Sequence, residues 1–176
     1  MVTAAAVAHA NRLPLLLLSG DTFTNRLPDP VLQQVEHFGT PSTTVNDSFR
    51  AVSRFWDRIT HPAQIISSLP QALATMLDPA DCGPAFIGLP QDIQEIAYDY
   101  PVEFFEEKTW EIARPRASVN QIKAAVSLLK KAKKPLILAG GGVRYSGAEE
   151  AVAEFAMQRG IPIAETIAGN GGLVHN

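Results

Sequence analysis

Four short apolar runs, each bounded by turn-forming residues, constrain the fold of this sequence more than any other feature. They lie at residues 15–18, 85–89, 136–139 and 161–164. Continuous apolar runs of this length are typical of strands buried on both faces, as in a parallel sheet. Because segments with helical periodicity separate the runs, we predict an α/β protein built from parallel βαβ units.

Capping residues mark two helices in the second half of the chain. Ser118 is the predicted N-cap of the first, and lysines at residues 130–134 crowd its negative end as a solvated helix terminus. Its apolar residues recur at helical spacing: Val119, Ile122, Val126 and Leu129. Ser146 and Glu149 have capping-box spacing for the second helix, which Gly160 is placed to end.

The segment at residues 98–115 has a different character from the sequence on either side. It combines aromatic residues, glutamates and prolines without a clear period, which indicates a linker draped on a surface. We therefore expect one domain at residues 1–97, a linker at 98–117 and a second domain at 118–176. The first domain includes a further predicted helix at residues 31–37.

Composition excludes several classes of function. The net charge of −3 gives no basic excess that would indicate nucleic acid or an anionic membrane as a partner. The longest apolar run is far too short to cross a bilayer, which takes about 20 residues. The single cysteine, Cys82, rules out an internal disulfide and a cysteine-rich zinc site, and it suits a reducing cytoplasm.

Among the motifs of the sequence, the glycine run Gly140, Gly141 and Gly142 most suggests a binding function. It follows a predicted strand, as a phosphate-binding turn does. A dinucleotide fingerprint would need glycine at Tyr145, and the next helix is predicted to begin only after Ser146. We therefore favour a tight turn in which backbone passes close to a neighbour, with nucleotide binding as the alternative.

Other chemically active residues form no recognisable constellation. The four histidines lack the spacing of metal ligands, and Asp47, Asp57 and Asp92 are scattered. Arg50, Arg54 and Arg58 recur every four residues and would form a basic stripe on a helix. We expect them to be surface or interface arginines stacked on neighbouring aromatic rings, with an anion site as the alternative. No catalytic, cofactor-binding or metal-binding residue is assigned.

Three stretches resemble the thiamine-diphosphate (ThDP) enzymes that include acetolactate synthase. They are residues 1–21, the strand CGPAFIGLPQD at 82–92, and KPLILAGGGV at 134–143 with its continuation at 160–166. The resemblance implies the C-terminal part of a pyrimidine-binding domain followed by the start of a Rossmann-like central domain. Three further stretches, at residues 29–39, 45–54 and 97–101, resemble the branch that opens a cyclic trihydroxy-dione in myo-inositol breakdown.

The resemblance also implies a chemistry. In the family, the thiazolium carbon of ThDP attacks a substrate carbonyl and accepts the electrons of the broken carbon–carbon bond, and Mg²⁺ anchors the diphosphate. The glutamate that activates the cofactor lies upstream of the segment matching Met1, and the diphosphate-binding domain lies downstream of Asn176. We therefore expect an internal part of a longer cytoplasmic, homo-oligomeric hydrolase, inactive alone and binding neither ThDP nor Mg²⁺.

Several alternatives remain open from the sequence. The parent could be another ThDP enzyme such as acetolactate synthase, or the chain could be a stand-alone nucleotide-binding module or a structural relic without a ligand. Acetolactate synthases carry a lysine near the place of Arg54, and if Arg54 occupies that position, the resemblance implies that it faces the active site. Incomplete sheets would leave edges and apolar faces exposed, which predicts association or low stability.

Overall fold

The computed structural model describes residues 1–25, Val35 and 39–173, and the chain divides into two compact units, Met1–Ala113 and Arg114–Asn176. The helix predicted at residues 31–37 falls, except for Val35, outside the described residues. No helix in the described part of the chain is long and apolar enough to cross a membrane.

The first unit is a three-stranded parallel sheet with helices packed against it. Its elements are α1 (Val2–Ala10), β1 (Leu15–Asp21), a 3₁₀ helix (Val45–Val52), β2 (Phe55–Arg58), a short 3₁₀ helix (Pro62–Gln64), α2 (Ile65–Leu77), β3 (Pro84–Pro90), α3 (Gln91–Gln94) and a final 3₁₀ helix (Val102–Phe104). The strand order is β1-β3-β2, and both neighbours run parallel to β3. This confirms the predicted α/β class.

The central strand β3 explains why its sequence is apolar without interruption. Phe86 and Ile87 are both fully buried, although successive side chains of a strand point to opposite faces. Ile87 packs with Ala72 and Met76 of α2, whereas Phe86 packs with Ala5 of α1 on the other side. Each face of the sheet therefore has its own hydrophobic cluster.

The strand β2 was not predicted from the sequence. Arginines and aromatic residues alternate irregularly there, so no element is predicted for residues 49–59. The structure instead ends the 3₁₀ helix at Val52 and extends the chain from Phe55, because β3 supplies a complete parallel partner for residues 55–58. The three arginines therefore do not share one helix face: Arg50 and Arg58 both pair with Asp47, and Arg54 pairs with Asp81.

The second unit contains fewer strands. Its elements are α4 (Val119–Lys131), β4 (Ile137–Ala139), α5 (Gly141–Ser146), α6 (Glu149–Arg159) and β5 (Ile163–Glu165). The strands β4 and β5 pair in parallel as a two-stranded sheet. Ser118 caps α4 in a capping box with Gln121, and Gly160 ends α6 in the left-handed conformation at φ 60°, so both predicted caps are confirmed.

The predicted capping box at Ser146 and Glu149 is wrong. A helix, α5, already begins at Gly141, and the hydroxyl of Ser146 donates back to the carbonyl oxygens of Gly142 and Val143. Gly147 then ends α5 at φ 62°, and α6 starts without a side-chain cap. The sequence has the spacing of a capping box, but the hydroxyl of Ser146 already makes its hydrogen bonds within α5.

Much apolar surface of the second unit is uncovered. All thirteen residues of α4 are exposed, including the four that form its apolar stripe. On β4, Leu138 is 68% exposed whereas Ala139 is buried. An apolar cavity of about 790 Å³ opens beside α6 and β5, lined by Ala153, Met157 and Ile163 among others.

Two adjacent leucines of β1 test the two faces of the first unit. Leu17 is 8% exposed within the cluster around Phe86, and Leu18 is 55% exposed. We expect Leu17→Ala to lower the free energy of unfolding by about 2–5 kcal/mol, because it leaves a cavity. The matched Leu18→Ala should cost less than about 1 kcal/mol. Urea unfolding followed by tryptophan fluorescence measures both, and equal costs would contradict this packing.

Candidate functional site

The carboxyl ends of the three parallel strands meet at one edge of the first unit's sheet, the position where open α/β sheets bind ligands. Asp21 ends β1 opposite Pro90, the last residue of β3, and Arg58 ends β2 opposite Gly88. An acidic residue and a basic residue, distant in the sequence, therefore lie at the same edge of the sheet. We refer to these strand ends and their adjoining loops as the carboxyl edge.

The guanidinium of Arg58 donates hydrogen bonds to four acceptors at this edge. Its Nε lies 2.6 Å from Asp21 Oδ2, and its Nη2 lies 2.7 Å from Asp47 Oδ2. Nη2 also donates to Thr44 Oγ1 at 2.8 Å and Nη1 to the carbonyl oxygen of Ser42 at 3.2 Å. The Asp21 side chain is only 1% exposed, so Arg58 compensates a carboxylate that water does not reach.

Asp47 is held ionised by the donors around it. Although burial raises its pKa, hydrogen bonds from the Thr44 backbone, Arg50 and Arg58 outweigh this and bring the pKa of Asp47 to about 2. For Arg58, burial alone would lower the pKa, but hydrogen bonds to Asp21 and Asp47 raise it overall. Asp47 and Arg58 therefore stay charged at neutral pH and offer no proton for acid–base chemistry.

Asn46 and Trp56 fix the 3₁₀ helix against the strands. The side-chain amide of the buried Asn46 donates to the carbonyl oxygen of Gly20 at 2.8 Å. The backbone carbonyl oxygen of Asn46 accepts from Trp56 Nε1 at 3.1 Å. Trp56 stacks on Phe86 with ring centroids 5.9 Å apart, and the Arg50 guanidinium lies 3.5 Å from the Trp56 ring centroid. The predicted stacking is confirmed for Arg50, and for Arg58 at 5.0 Å from the same ring.

The loop after β1 is anchored by a second carboxylate. Asp92, in the first turn of α3, accepts hydrogen bonds from the backbone of Thr24 and Asn25 at 3.0 and 3.1 Å and from the Thr24 hydroxyl. Burial raises the pKa of Asp92, but these donors lower it overall. Likewise, Ser68 donates to Asp57. The scattered carboxylates of the sequence thus serve to hold loops and helices in place.

These contacts decide what the carboxyl edge can do. Asp21, Asp47, Asp57 and Asp92 each accept protein hydrogen bonds, and no group of three or more His, Cys, Asp or Glu in the described part of the chain could hold a metal ion. The described residues therefore do not fit Mg²⁺. The edge is a rigid platform without an acid–base pair of its own.

Arg54 lies at the opposite edge of the sheet. Its backbone N–H donates to the carbonyl oxygen of Pro84, where β3 begins, and its guanidinium pairs with Asp81 at 2.8 Å. Cys82 is nearby, and its thiol donates to the carbonyl oxygen of Met76 while burial raises its pKa. Arg54 therefore does not lie at the carboxyl edge, and the role that the resemblance implies for it stays a prediction.

The glycine turn of the second unit follows β4 directly. Gly140 is the N-cap of α5 in extended conformation, and a Cβ at Gly140 would have its nearest neighbour, Thr166 Oγ1, at an ordinary 3.6 Å. The backbone does pass close to a neighbouring segment here, as expected: a Cβ at Gly169 would lie 2.4 Å from the carbonyl oxygen of Ala139 and 3.1 Å from Gly140 Cα. The missing side chain of Gly169 makes room for this approach.

The second half of the chain matches a known family. Residues 122–176 match the model of the thiamine pyrophosphate enzyme central domain, so this segment carries part of that domain.

Curated relatives share one name. The chain is 49% identical over 171 residues to the 3D-(3,5/4)-trihydroxycyclohexane-1,2-dione hydrolase of Geobacillus thermodenitrificans, an alignment of 97% of this chain and 27% of that protein. It is 49% identical to the hydrolase of the same name from Clostridium tetani over 98% of this chain and 27% of that protein. For Halalkalibacterium halodurans the values are 48%, 96% and 26%. The chain thus spans about a quarter of these relatives' length.

Two arginines with contrasting partners test the role of the ion pairs. Arg58→Met leaves the buried Asp21 carboxylate without its guanidinium, so we expect a loss of about 3–5 kcal/mol in the free energy of unfolding. Arg54→Met removes a pair whose Asp81 side chain is 69% exposed, and should cost less than about 1 kcal/mol. Chemical denaturation at neutral pH compares the two variants, and a cost for Arg58→Met no greater than for Arg54→Met would contradict the proposed network.

Two glycines of the second unit form a second matched pair. Gly169→Ala places a methyl group against the Ala139 carbonyl and should destabilise the unit by about 1–3 kcal/mol. A Cβ at Gly142 meets no atom of the described chain within 4 Å, and Gly142→Ala within α5 should stabilise by up to about 1 kcal/mol. Amide exchange in β4 and β5 reports both changes. Faster exchange in Gly142→Ala than in Gly169→Ala would refute the assignment.

Proposed function

We propose that this chain is part of a ThDP-dependent hydrolase that cleaves a carbon–carbon bond of a cyclic trihydroxy-dione in myo-inositol degradation. The observation that carries the proposal is identity of 47–49% over almost the whole chain to several proteins named as that hydrolase. The identity includes both units, not only the matched central domain. Acetolactate synthase and other ThDP enzymes are the less favoured parents.

The two units receive different roles in this proposal. Residues 1–97 are the C-terminal part of a pyrimidine-binding domain, residues 98–117 are the linker, and residues 118–176 are the start of the central domain. The three-stranded parallel sheet of the first unit, with its rigid carboxyl edge, suits a domain that positions a ligand without contributing acid–base chemistry. The enzyme is proposed to be cytoplasmic and homo-oligomeric.

The cofactors belong to the longer protein in this account. ThDP supplies an electron sink for carbon–carbon cleavage when bound. The carboxylates of the carboxyl edge are engaged with protein donors, which supports the proposal that neither Mg²⁺ nor ThDP binds this chain alone. The chain is accordingly proposed to be inactive in isolation.

A chimera tests the proposed activity directly. The matching 171-residue segment of the Geobacillus thermodenitrificans hydrolase is replaced by this chain's residues, and hydrolysis of the dione is measured beside the unmodified enzyme. We expect a folded chimera that binds ThDP and retains dione hydrolysis. A folded, ThDP-binding chimera without dione hydrolysis that acts on pyruvate instead would contradict the proposed substrate.

Calorimetric titration of Mg²⁺-ThDP into the chain alone tests the inactivity. No saturable heat is expected, whereas the Geobacillus hydrolase, as a positive control, should bind. Saturable binding to the isolated chain would contradict the proposed placement of the cofactor site outside these residues.

Nucleotide binding at the glycine turn is a second candidate. The observation in its favour is that α5 begins at Gly141, directly after β4, as the strand–glycine–helix order of a phosphate-binding turn requires. Titration with FAD and with ADP decides this candidate. Saturable binding that Gly141→Val abolishes and the exposed Arg159→Gln leaves intact would support it, and the absence of binding would remove it.

A further inference from the structure

The segments that follow the neighbouring strands β1 and β3 pack on opposite faces of the first unit's sheet. The next described helix after β1 is the 3₁₀ helix, whose Phe49 belongs to the cluster around Phe86. After β3, Ile93 of α3 belongs to the cluster around Ile87 on the other face. Open α/β sheets bind ligands at the carboxyl edge, where neighbouring strands lead to opposite faces. The carboxyl edge between β1 and β3 is therefore the part of this unit where a ligand is expected.

The side chain of Asp92 spans this place. Asp92 lies in the first turn of α3, directly after β3, whereas residues 22–25, which we call the β1 loop, directly follow β1. The Asp92 carboxylate accepts hydrogen bonds from the backbone of Thr24 and Asn25 at 3.0 and 3.1 Å and from the Thr24 hydroxyl. One side chain thus joins the connection that leaves β1 to the connection that leaves β3.

The helix α3 gives Asp92 a fixed base. The next residue, Ile93, is buried in the cluster that packs against α2. Gln94 Nε2 donates to the carbonyl oxygen of Leu89 in β3 at 2.7 Å. Although burial raises the pKa of Asp92, the donors of the β1 loop lower it overall, so the side chain is a carboxylate at neutral pH. Asp92 therefore presents a charged acceptor from a rigid element.

The β1 loop is held at its other end as well. Asp21 Oδ1 accepts a hydrogen bond from the Thr22 backbone at 2.9 Å. One carboxylate therefore fixes the loop at Thr22 and another fixes it at Thr24, so the position of Phe23 is set from both sides. All three loop residues are half-buried, and each keeps accessible surface that a ligand at this edge could contact.

We propose that Asp92 is a positioning residue of the hydrolase, which holds the β1 loop as one wall of the dione site and does not touch the substrate itself. The role rests on the proposed function, because the substrate is the dione of that proposal. Displacement of such a wall by about 1 Å lowers a rate by about a hundredfold, since the reacting atoms no longer meet in the right geometry. The effect of Asp92 is therefore expected in kcat.

Steady-state kinetics of the chimera described above test this role. Asp92→Ala should lower kcat for dione hydrolysis by about ten- to a hundredfold, and it should leave the affinity for ThDP unchanged. Asp78→Ala is the matched control, because Asp78 also accepts two backbone hydrogen bonds, from Ala80 and Asp81 at 2.7 Å each. That loop precedes β3, at the opposite edge of the sheet, so kcat should stay at the value of the chimera.

Two substitutions at Thr24 test the same contact with less risk to folding. Thr24→Val removes the hydroxyl that donates to Asp92 at nearly constant volume, whereas Thr24→Ser keeps a hydroxyl. We expect a higher kcat for Thr24→Ser than for Thr24→Val, because the hydrogen bond and not the side-chain volume holds the loop. Equal kcat in these two variants, or a loss in Asp78→Ala as large as in Asp92→Ala, would overturn the proposal.

Amide exchange in the 176-residue chain separates the role of Asp92 from the proposed function. Asp92→Ala should speed exchange of the Thr24 and Asn25 amides by about tenfold or more, as for the loss of hydrogen bonds to a charged group. Asp78→Ala should not change these two amides. Unchanged exchange in Asp92→Ala would overturn the positioning role. A chimera that folds and binds ThDP without hydrolysing the dione would instead contradict the proposed function, and the exchange result would still decide whether Asp92 holds the loop.

Discussion

The buried carboxylate of Asp21 is the constraint on which the first unit depends. It ends β1 at a place that water does not reach, and an isolated charge there would be very costly. Arg58 compensates it from the end of β2, and the same guanidinium holds Asp47 and Thr44. One side chain thus joins two strand ends to the loop that precedes the 3₁₀ helix. Gly88 makes room for this arrangement, since a Cβ there would lie 3.0 Å from Asp21 Oδ2.

The consequence for function is that the carboxyl edge is rigid and its carboxylates are already engaged. Such an edge can position a ligand supplied with its own chemistry, which suits a part of a cofactor-dependent enzyme. The second unit contrasts with it, because a two-stranded sheet cannot cover its helices. Its helix α4 and Leu138 of β4 therefore leave apolar surface exposed.

Sequence reasoning succeeded where burial leaves a simple pattern. The apolar runs at residues 85–89 and 136–139 correctly predicted strands, and Ser118 and Gly160 correctly predicted helix ends. Both kinds of prediction depend on the chemistry of neighbouring residues. It failed at β2, whose pairing depends on a strand about thirty residues away. The Asp21–Arg58 pair was also missed, since its partners are 37 residues apart. The position of Asp21 directly after a buried strand was the available signal.

Hydrogen–deuterium exchange on the dilute, monomeric chain tests the central claim that the first unit closes its own core while the second does not. The account predicts the slowest exchange for backbone amides in β3 and in the paired part of β1, and exchange close to that of an unprotected helix throughout α4. Amides of α4 protected as strongly as those of β3 in the monomer would contradict it. In that case the chain itself would cover the helix, and the contrast between the buried core of the first unit and the exposed helix of the second would fail.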